Sequence, residues 1–205
     1  MKFRILFFAS FYFIFANFVN AQTVVCTWAG GDPGDETNWD NDANWTTTID
    51  GAPAADAKPT NTSNVIIPNS VTNYPVVSSG TCVAANVTID ANGGSSDPSL
   101  TINGTQTLDI EGDFLMNGGT LVMNNSSVFD VNGDWDDQNG VFILGNSTIV
   151  LLSASADQTI SCGPANSFKN LQFTNDNVSV NNRTALTNIT ISRDLDIQNK
   201  TNFGI

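Results

Sequence analysis

The sequence predicts an all-β fold: a right-handed parallel β-helix (β-solenoid) with coils of about 21 residues and a Trp-rich N-terminal cap. Three observations predict it. Apolar-x-apolar triplets recur at a constant interval. Leu100-Thr101-Ile102 falls over Leu121-Val122-Met123 and Phe142-Ile143-Leu144, and Leu108-Asp109-Ile110 falls over Phe129-Asp130-Val131 and Val150-Leu151-Leu152. Turn residues recur in the same frame: Asn103-Gly104 over Asn124-Asn125 and Gly145-Asn146, and Glu111-Gly112-Asp113-Phe114 over Asn132-Gly133-Asp134-Trp135. The gaps between triplets alternate short and long, and the long gap has room for a third strand, which Phe114-Leu115-Met116 and the equivalent Trp135 fill. An antiparallel sandwich of hairpins gives no reason for such a constant offset.

At the N-terminus, Lys2 and Arg4 precede an apolar run from Ile5 to Phe15, and Val19-Asn20-Ala21 places small residues at a cleavage position. Residues 1–21 therefore read as a secretory signal peptide. The run is too interrupted, by Ser10 and Asn17, for a spanning helix of about 20 apolar residues. No membrane span is expected after cleavage. Removal leaves five basic residues against twenty acidic ones, a formal charge of −15, with no histidine. Such a chain repels nucleic acid and anionic lipid. Its apolar residues recur throughout and its charge density is low, so it is expected to fold.

Residues 22–86 are expected to form the cap and first coils, because the open end of a solenoid exposes strand edges and core. They hold Trp28, Trp39 and Trp45 among Gly, Asp and Asn, then Val65-Ile66-Ile67-Pro68 and Tyr74-Pro75-Val76-Val77. Residues 87–205 are expected to be β-helix repeats, from Val87-Thr88-Ile89 through Leu171-Gln172-Phe173, Val178-Ser179-Val180 and Ile189-Thr190-Ile191 to Leu195-Asp196-Ile197. Period-two alternation sends the outer residues of each triplet to the core and the middle one to water. Beyond Ser153 the interval drifts, which predicts shorter or bulged coils.

Trp28-Ala29-Gly30, Asn38-Trp39, Ala43-Asn44-Trp45, Val65-Ile66-Ile67-Pro68 and Asn73-Tyr74-Pro75-Val76 resemble the opening module of large secreted surface proteins of Bacteroidota. Gly133-Asp134-Trp135, Asp157-Gln158-Thr159-Ile160 and Phe168-Lys169-Asn170-Leu171 are similar to their adhesin-like β-helix repeats. The resemblance covers nearly all of residues 26–205. It implies a secreted or outer-cell-surface protein of the type IX secretion class, of which this chain would be the N-terminal portion, with further domains beyond it.

Several residues carry chemistry worth weighing. Asp32, Asp35, Asp40 and Asp42 make an oxygen-rich loop that could hold calcium. The EF-hand pattern fails there, since Trp45 and Gly51 stand where Gly and Glu are needed, and solvated turn residues are the plainer reading. Trp39 and Trp45 offer platforms for sugar rings, against the plainer reading of packing. Asp134, Asp136 and Asp137 form an acidic cluster like that of glycoside hydrolysis, but without nearby Arg, Lys or His they are not assigned catalysis. Cys26, Cys82 and Cys162 permit one disulfide, Cys26–Cys82, or three buried thiols. An ice-binding face needs a rank of outward Thr, and the slot of Thr101 passes to Val122 and Ile143.

The function expected is that of an exported, adhesin-like structural segment, not an enzyme, without an obligatory cofactor, meeting surface glycans or other cells. The alternatives are a carbohydrate-binding module using Trp39 and Trp45, and the non-catalytic N-terminal part of a larger polysaccharide-degrading enzyme.

Overall fold

A computed structural model describes residues 21–91, 97–152, 157–174, 182–198 and 202–204. The expected signal peptide (but for Ala21) and the triplet Val178-Ser179-Val180 lie outside them. The fold is a β-solenoid of about 5 turns whose stacked coils lie about 22 residues apart, with 2% helix.

The chain opens with β1 (Val24–Trp28), a short 3-10 turn (Asp42–Asn44), β2 (Trp45–Ile49) and β3 (Ala52–Pro53). The coils begin with β4 (Ser63–Pro68), β5 (Val76–Val77) and β6 (Thr81–Ala84). They continue through β7 (Asn86–Asp90), β8 (Ser99–Ile102), β9 (Thr107–Ile110), β10 (Phe114–Met116), β11 (Thr120–Met123) and β12 (Val128–Val131). Then come β13 (Trp135–Asp136), β14 (Val141–Leu144), β15 (Thr148–Leu152), β16 (Gln158–Ser161), β17 (Phe168–Thr174), β18 (Asn182–Ala185), β19 (Ile191–Ile197) and β20 (Asn202–Gly204).

Three parallel sheets wrap one core. The first runs β20-β18-β16-β13-β10-β7-β4-β1, continued by antiparallel β2 and β3; the second is β14-β11-β8-β5; the third is β19-β17-β15-β12-β9-β6. The 21-residue frame is seen in the pairing Leu100 with Leu121 with Phe142 and Phe114 with Trp135. Inward positions are fully buried, among them Leu100, Leu121, Leu108, Phe129 and Ile110. Phe114, Phe129, Trp135, Phe142 and Phe168 meet edge-on or tilted at centroid distances of 4.6–5.9 Å, the geometry favoured by aromatic quadrupoles.

One register expectation is corrected. Phe129 pairs with Ile149, so Ile149-Val150-Leu151, and not Val150-Leu151-Leu152, lies over Phe129-Asp130-Val131. The frame recovers at the next coil, where Ile149 pairs with Leu171 and Leu151 with Phe173. A run of five residues, Thr-Ile-Val-Leu-Leu, offers apolar side chains to both faces, so pattern alone does not choose between registers one residue apart.

The corners follow from local chemistry. Gly104 (φ +64°) and Asn125 (φ +57°) share a left-handed slot, the conformation in which Gly and Asn are tolerated. Asn124 Nδ2 donates to Asn103 Oδ1 at 2.8 Å, a side-chain amide rung between adjacent coils. At another corner Asn86 Oδ1 accepts from the Asp113 N–H, Asp113 Oδ1 from the Asp134 N–H and Asp134 Oδ1 from the Thr159 N–H, at 2.6–2.8 Å. A Cβ on Gly112 or Gly133 would collide with Asn86 Oδ1 or Asp113 Oδ1 respectively. The Gly-Asp repeat therefore reflects a ladder that satisfies backbone N–H groups between coils.

The expected irregularity after Ser153 takes a specific form. Among the described residues β14 is the last strand of the second sheet, and the chain then passes from β16 straight to β17 and from β18 straight to β19. β17 and β19 slip register between Phe168 and Asn170. Ile189 and Thr190 precede β19 without joining a strand, while Leu195-Asp196-Ile197 pairs with Leu171-Gln172-Phe173 at a longer interval, and Leu195 and Ile197, expected to face the core, are 50% and 49% exposed.

Candidate functional site

The Trp/Asp-rich segment closes the N-terminal end. β1 pairs with β4 to extend the first sheet, and Trp39 N–H donates to Val76 O while Val76 N–H donates to Thr37 O, which covers the edge of β5. Trp28, Trp39 and Trp45 are each 1% exposed. Trp45 meets Trp28 and Trp39 edge-on at 4.8 and 4.9 Å. Trp28 Nε1 donates to Asn73 O and Trp45 Nε1 to Trp39 O. Trp39 and Trp45 were candidates for sugar stacking; the structure encloses both rings, and neither offers a face to a ligand.

The four candidate calcium ligands do not converge. Asp32 and Asp35 share the Asn41 side-chain amide, whose Nδ2 donates to both carboxylates at 2.6 and 3.0 Å. Asp40 instead turns toward the coils, accepting from Lys58 Nζ at 3.0 Å and Ser79 Oγ at 2.8 Å. Burial opposes the Asp40 charge, but these two donors outweigh it and lower its pKa. Asp42 accepts from the Lys58 N–H. Among the described residues no group of three or more His, Cys, Asp or Glu side chains is placed to hold a metal ion. The loop is organised by Asn44, fully buried, whose Nδ2 donates to Asp35 O and Asn38 O and whose Oδ1 accepts from the Asp32 N–H.

Cys26, Cys82 and Cys162 are buried free thiols, so the Cys26–Cys82 pairing is corrected. Cys26 lies on the first sheet facing Thr47 and Ala57 O; Cys82 lies on the third, against Asp40. Burial, then the Asp40 charge, pushes the Cys82 thiol up to about 12. Burial and Asp137 push Cys162 up as well. Both stay protonated at neutral pH and act as small packing groups.

The acidic cluster also separates. Asp134 holds the corner ladder, Asp136 accepts from Gln138, and Asp137 is fully buried. Asp137 accepts from the Gly163 N–H and from Asn166 Nδ2. Burial nevertheless raises its pKa to about 6. Asn166 carries a role the sequence did not signal: its side chain accepts from the Phe142 N–H and donates to Gly140 O at 3.1 and 3.0 Å. It thus imitates one peptide of the strand missing beyond β14. Arg183, one of few cations, is likewise hidden, 0% exposed, with Nη2 donating to Thr174 O.

The surfaces left for a partner are the three outer faces and the far end near β18 and β19. The outer row of the third sheet runs Asp109, Asp130, Val150, Gln172, Asp196. Asp109 and Asp130 stand side by side on adjacent coils. Each has one buried carboxylate oxygen without a hydrogen-bond partner among the described residues. Burial and then Asp109 raise Asp130 to about 6, and burial and then Glu111 raise Asp109. Farther along that face a polar groove of about 370 Å³ includes Asn170, Gln172, Arg193, Asp194 and Asp196. A larger apolar hollow of about 690 Å³, lined by Phe173, Leu186, Ile189, Ile191 and Leu195, opens at the far end. No helix among the described residues is long and apolar enough to cross a membrane.

Comparison with models of known protein families finds no match, and neither curated proteins nor solved structures yield one.

Proposed function

We propose that this chain is a structural, adhesin-like segment of a bacterial surface protein, exported by its N-terminal signal peptide and serving as a rigid rod whose outer faces meet glycans or other cells. One observation carries the reading. The residues that looked most chemical, the Trp trio, the corner Asp and Asn residues and the thiols, are spent on the scaffold itself. The flat outer faces remain available. The resemblance to Bacteroidota surface proteins supports the location. Glycan contact is best served by the polar groove, where Asn170, Gln172, Arg193 and Asp196 place donors and acceptors together.

Two experiments test the reading. Amino-terminal sequencing of the exported product should begin at Gln22, and antibody should label intact cells; a product retained inside the cell with Met1 in place would sink the export reading. Glycan-array binding by the purified protein should fall on Arg193→Ala and Gln172→Ala while melting is unchanged. Binding indifferent to both substitutions would remove the groove from the account.

A further inference from the structure

The four-stranded sheet differs from its neighbours in chemistry and in how it ends. Its strands read Val-Val, Ser-Leu-Thr-Ile, Thr-Leu-Val-Met and Val-Phe-Ile-Leu, without one charged residue. The other two sheets carry charge on their strands: Asp90, Asp136 and Arg183 on one, Asp109, Asp130, Lys169, Arg193, Asp194 and Asp196 on the other. Register places Val76, Thr101, Val122 and Ile143 in one outward row, and Ser99, Thr120 and Val141 in the next. The face becomes more apolar and more open toward β14, where Val141 is 54% and Ile143 55% exposed. Among the described residues no further strand of this sheet follows β14, and the Asn166 amide supplies one rung in its place.

From this face we infer that two copies of the chain pack against each other through the outer surface of the four-stranded sheet, about a two-fold axis near Ile143. The occupant follows from charge. With twenty acidic residues against five basic ones once residues 1–21 are removed, two copies repel wherever acidic faces meet, and this sheet is the one on which they touch without opposing carboxylates. A basic partner would be drawn to the acidic sheets and gain nothing here. A flat β-branched surface packs face to face on its own kind at about 10 Å, and an isologous contact needs only this one patch. Four strands span about 14 Å across, so each copy buries a few hundred Å², short of the roughly 800 Å² per partner of a stable complex. The association is therefore weak in dilute solution and gains from high local density on a surface.

Sedimentation equilibrium at rising protein concentration, up to about 1 mM, tests this. The wild-type mass should climb toward that of a dimer, and more steeply in added salt, which screens the acidic repulsion. Val141→Lys with Ile143→Lys, outward substitutions whose folding is checked by an unchanged melting curve, should keep the protein monomeric. Leu195→Lys, at the open far end, should leave association unchanged. Ile143→Cys should form a disulfide-linked dimer under mild oxidation, which the three buried native thiols do not. A wild type that stays monomeric throughout, association that survives the double lysine variant, or loss on Leu195→Lys instead would each overturn the proposal. So would a monomer that binds an apolar dye through Ile143, which would give the patch a different occupant.

Discussion

Replacing Asp130 by Asn should stabilise the protein at neutral pH and do little below about pH 4. Asp130 stands beside Asp109 on the neighbouring coil, partly buried, with one oxygen lacking a partner. Burial and the Asp109 charge raise its pKa from 3.8 to about 6. A shift of about two units corresponds to about 3 kcal/mol at 1.36 kcal/mol per unit. The carboxylate is only partly enclosed, so solvent screening reduces this to about 1–2 kcal/mol. The sign follows from linkage: the folded state holds the proton more tightly than the unfolded chain. The penalty is absent below the unfolded value near 4, grows as pH rises and is complete above about 6. Urea unfolding of wild type and Asp130→Asn at about pH 3.5 and about pH 7.5 reads the effect. The variant should be more stable by about 1–2 kcal/mol at the higher pH, and the gap should close at the lower. Asp137 titrates in the same window, but it is present in both proteins and cancels. A gap of equal size at both pH values, or a variant less stable near neutrality, would refute the reasoning.

Trp135→Ala should cost about 3–5 kcal/mol in the same assay, because the ring fills the core among Phe114, Phe129, Phe142 and Phe168; a loss below 1 kcal/mol would show that the coil closes over the gap. Asn166→Ala removes a bond to the β14 backbone at Phe142, one to Gly140 just before it and one to the buried Asp137 carboxylate, with an expected loss of about 2–4 kcal/mol and faster amide exchange at Phe142, while Asn124→Ala at an exposed corner rung should cost less than about 1 kcal/mol. Thiol reagents should label Cys26, Cys82 and Cys162 only after denaturation, and reductant should leave the melting temperature unchanged. Protection of two thiols even in reduced-free denaturant would restore the disulfide reading.

The coil architecture was legible in the sequence because a solenoid repeats its environment. Leu100, Leu121 and Phe142 meet the same neighbours one coil apart, so one interval reveals three strands. Trp135 could be placed in the core by its alignment with Phe114 alone. The register of β15 was not legible, since an unbroken apolar run reads equally well in either phase. Nor were the fates of Trp39, Asp32 and Cys82. The cap does not repeat, and whether an indole is a platform or a plug depends on what folds over it. Asn166 was invisible for a related reason: its task is set by a strand that is missing one coil below, and nothing near it in the chain announces that vacancy.

Seen as a beam, the solenoid is not uniform along its length. Hydrogen bonds between coils lie along its axis, so a pull on the two ends loads them in tension. Through β14 each joint between full coils is shared by three sheets, but at the next, among the described residues, strand pairing is confined to β13 with β16 and β15 with β17, with the Asn166 side chain as the link on the third side. Under bending, that joint gapes toward Val141 and Ile143, as a three-flanged girder opens where one flange stops. Tension should therefore peel away the far coils first and leave the tryptophan-sealed end standing.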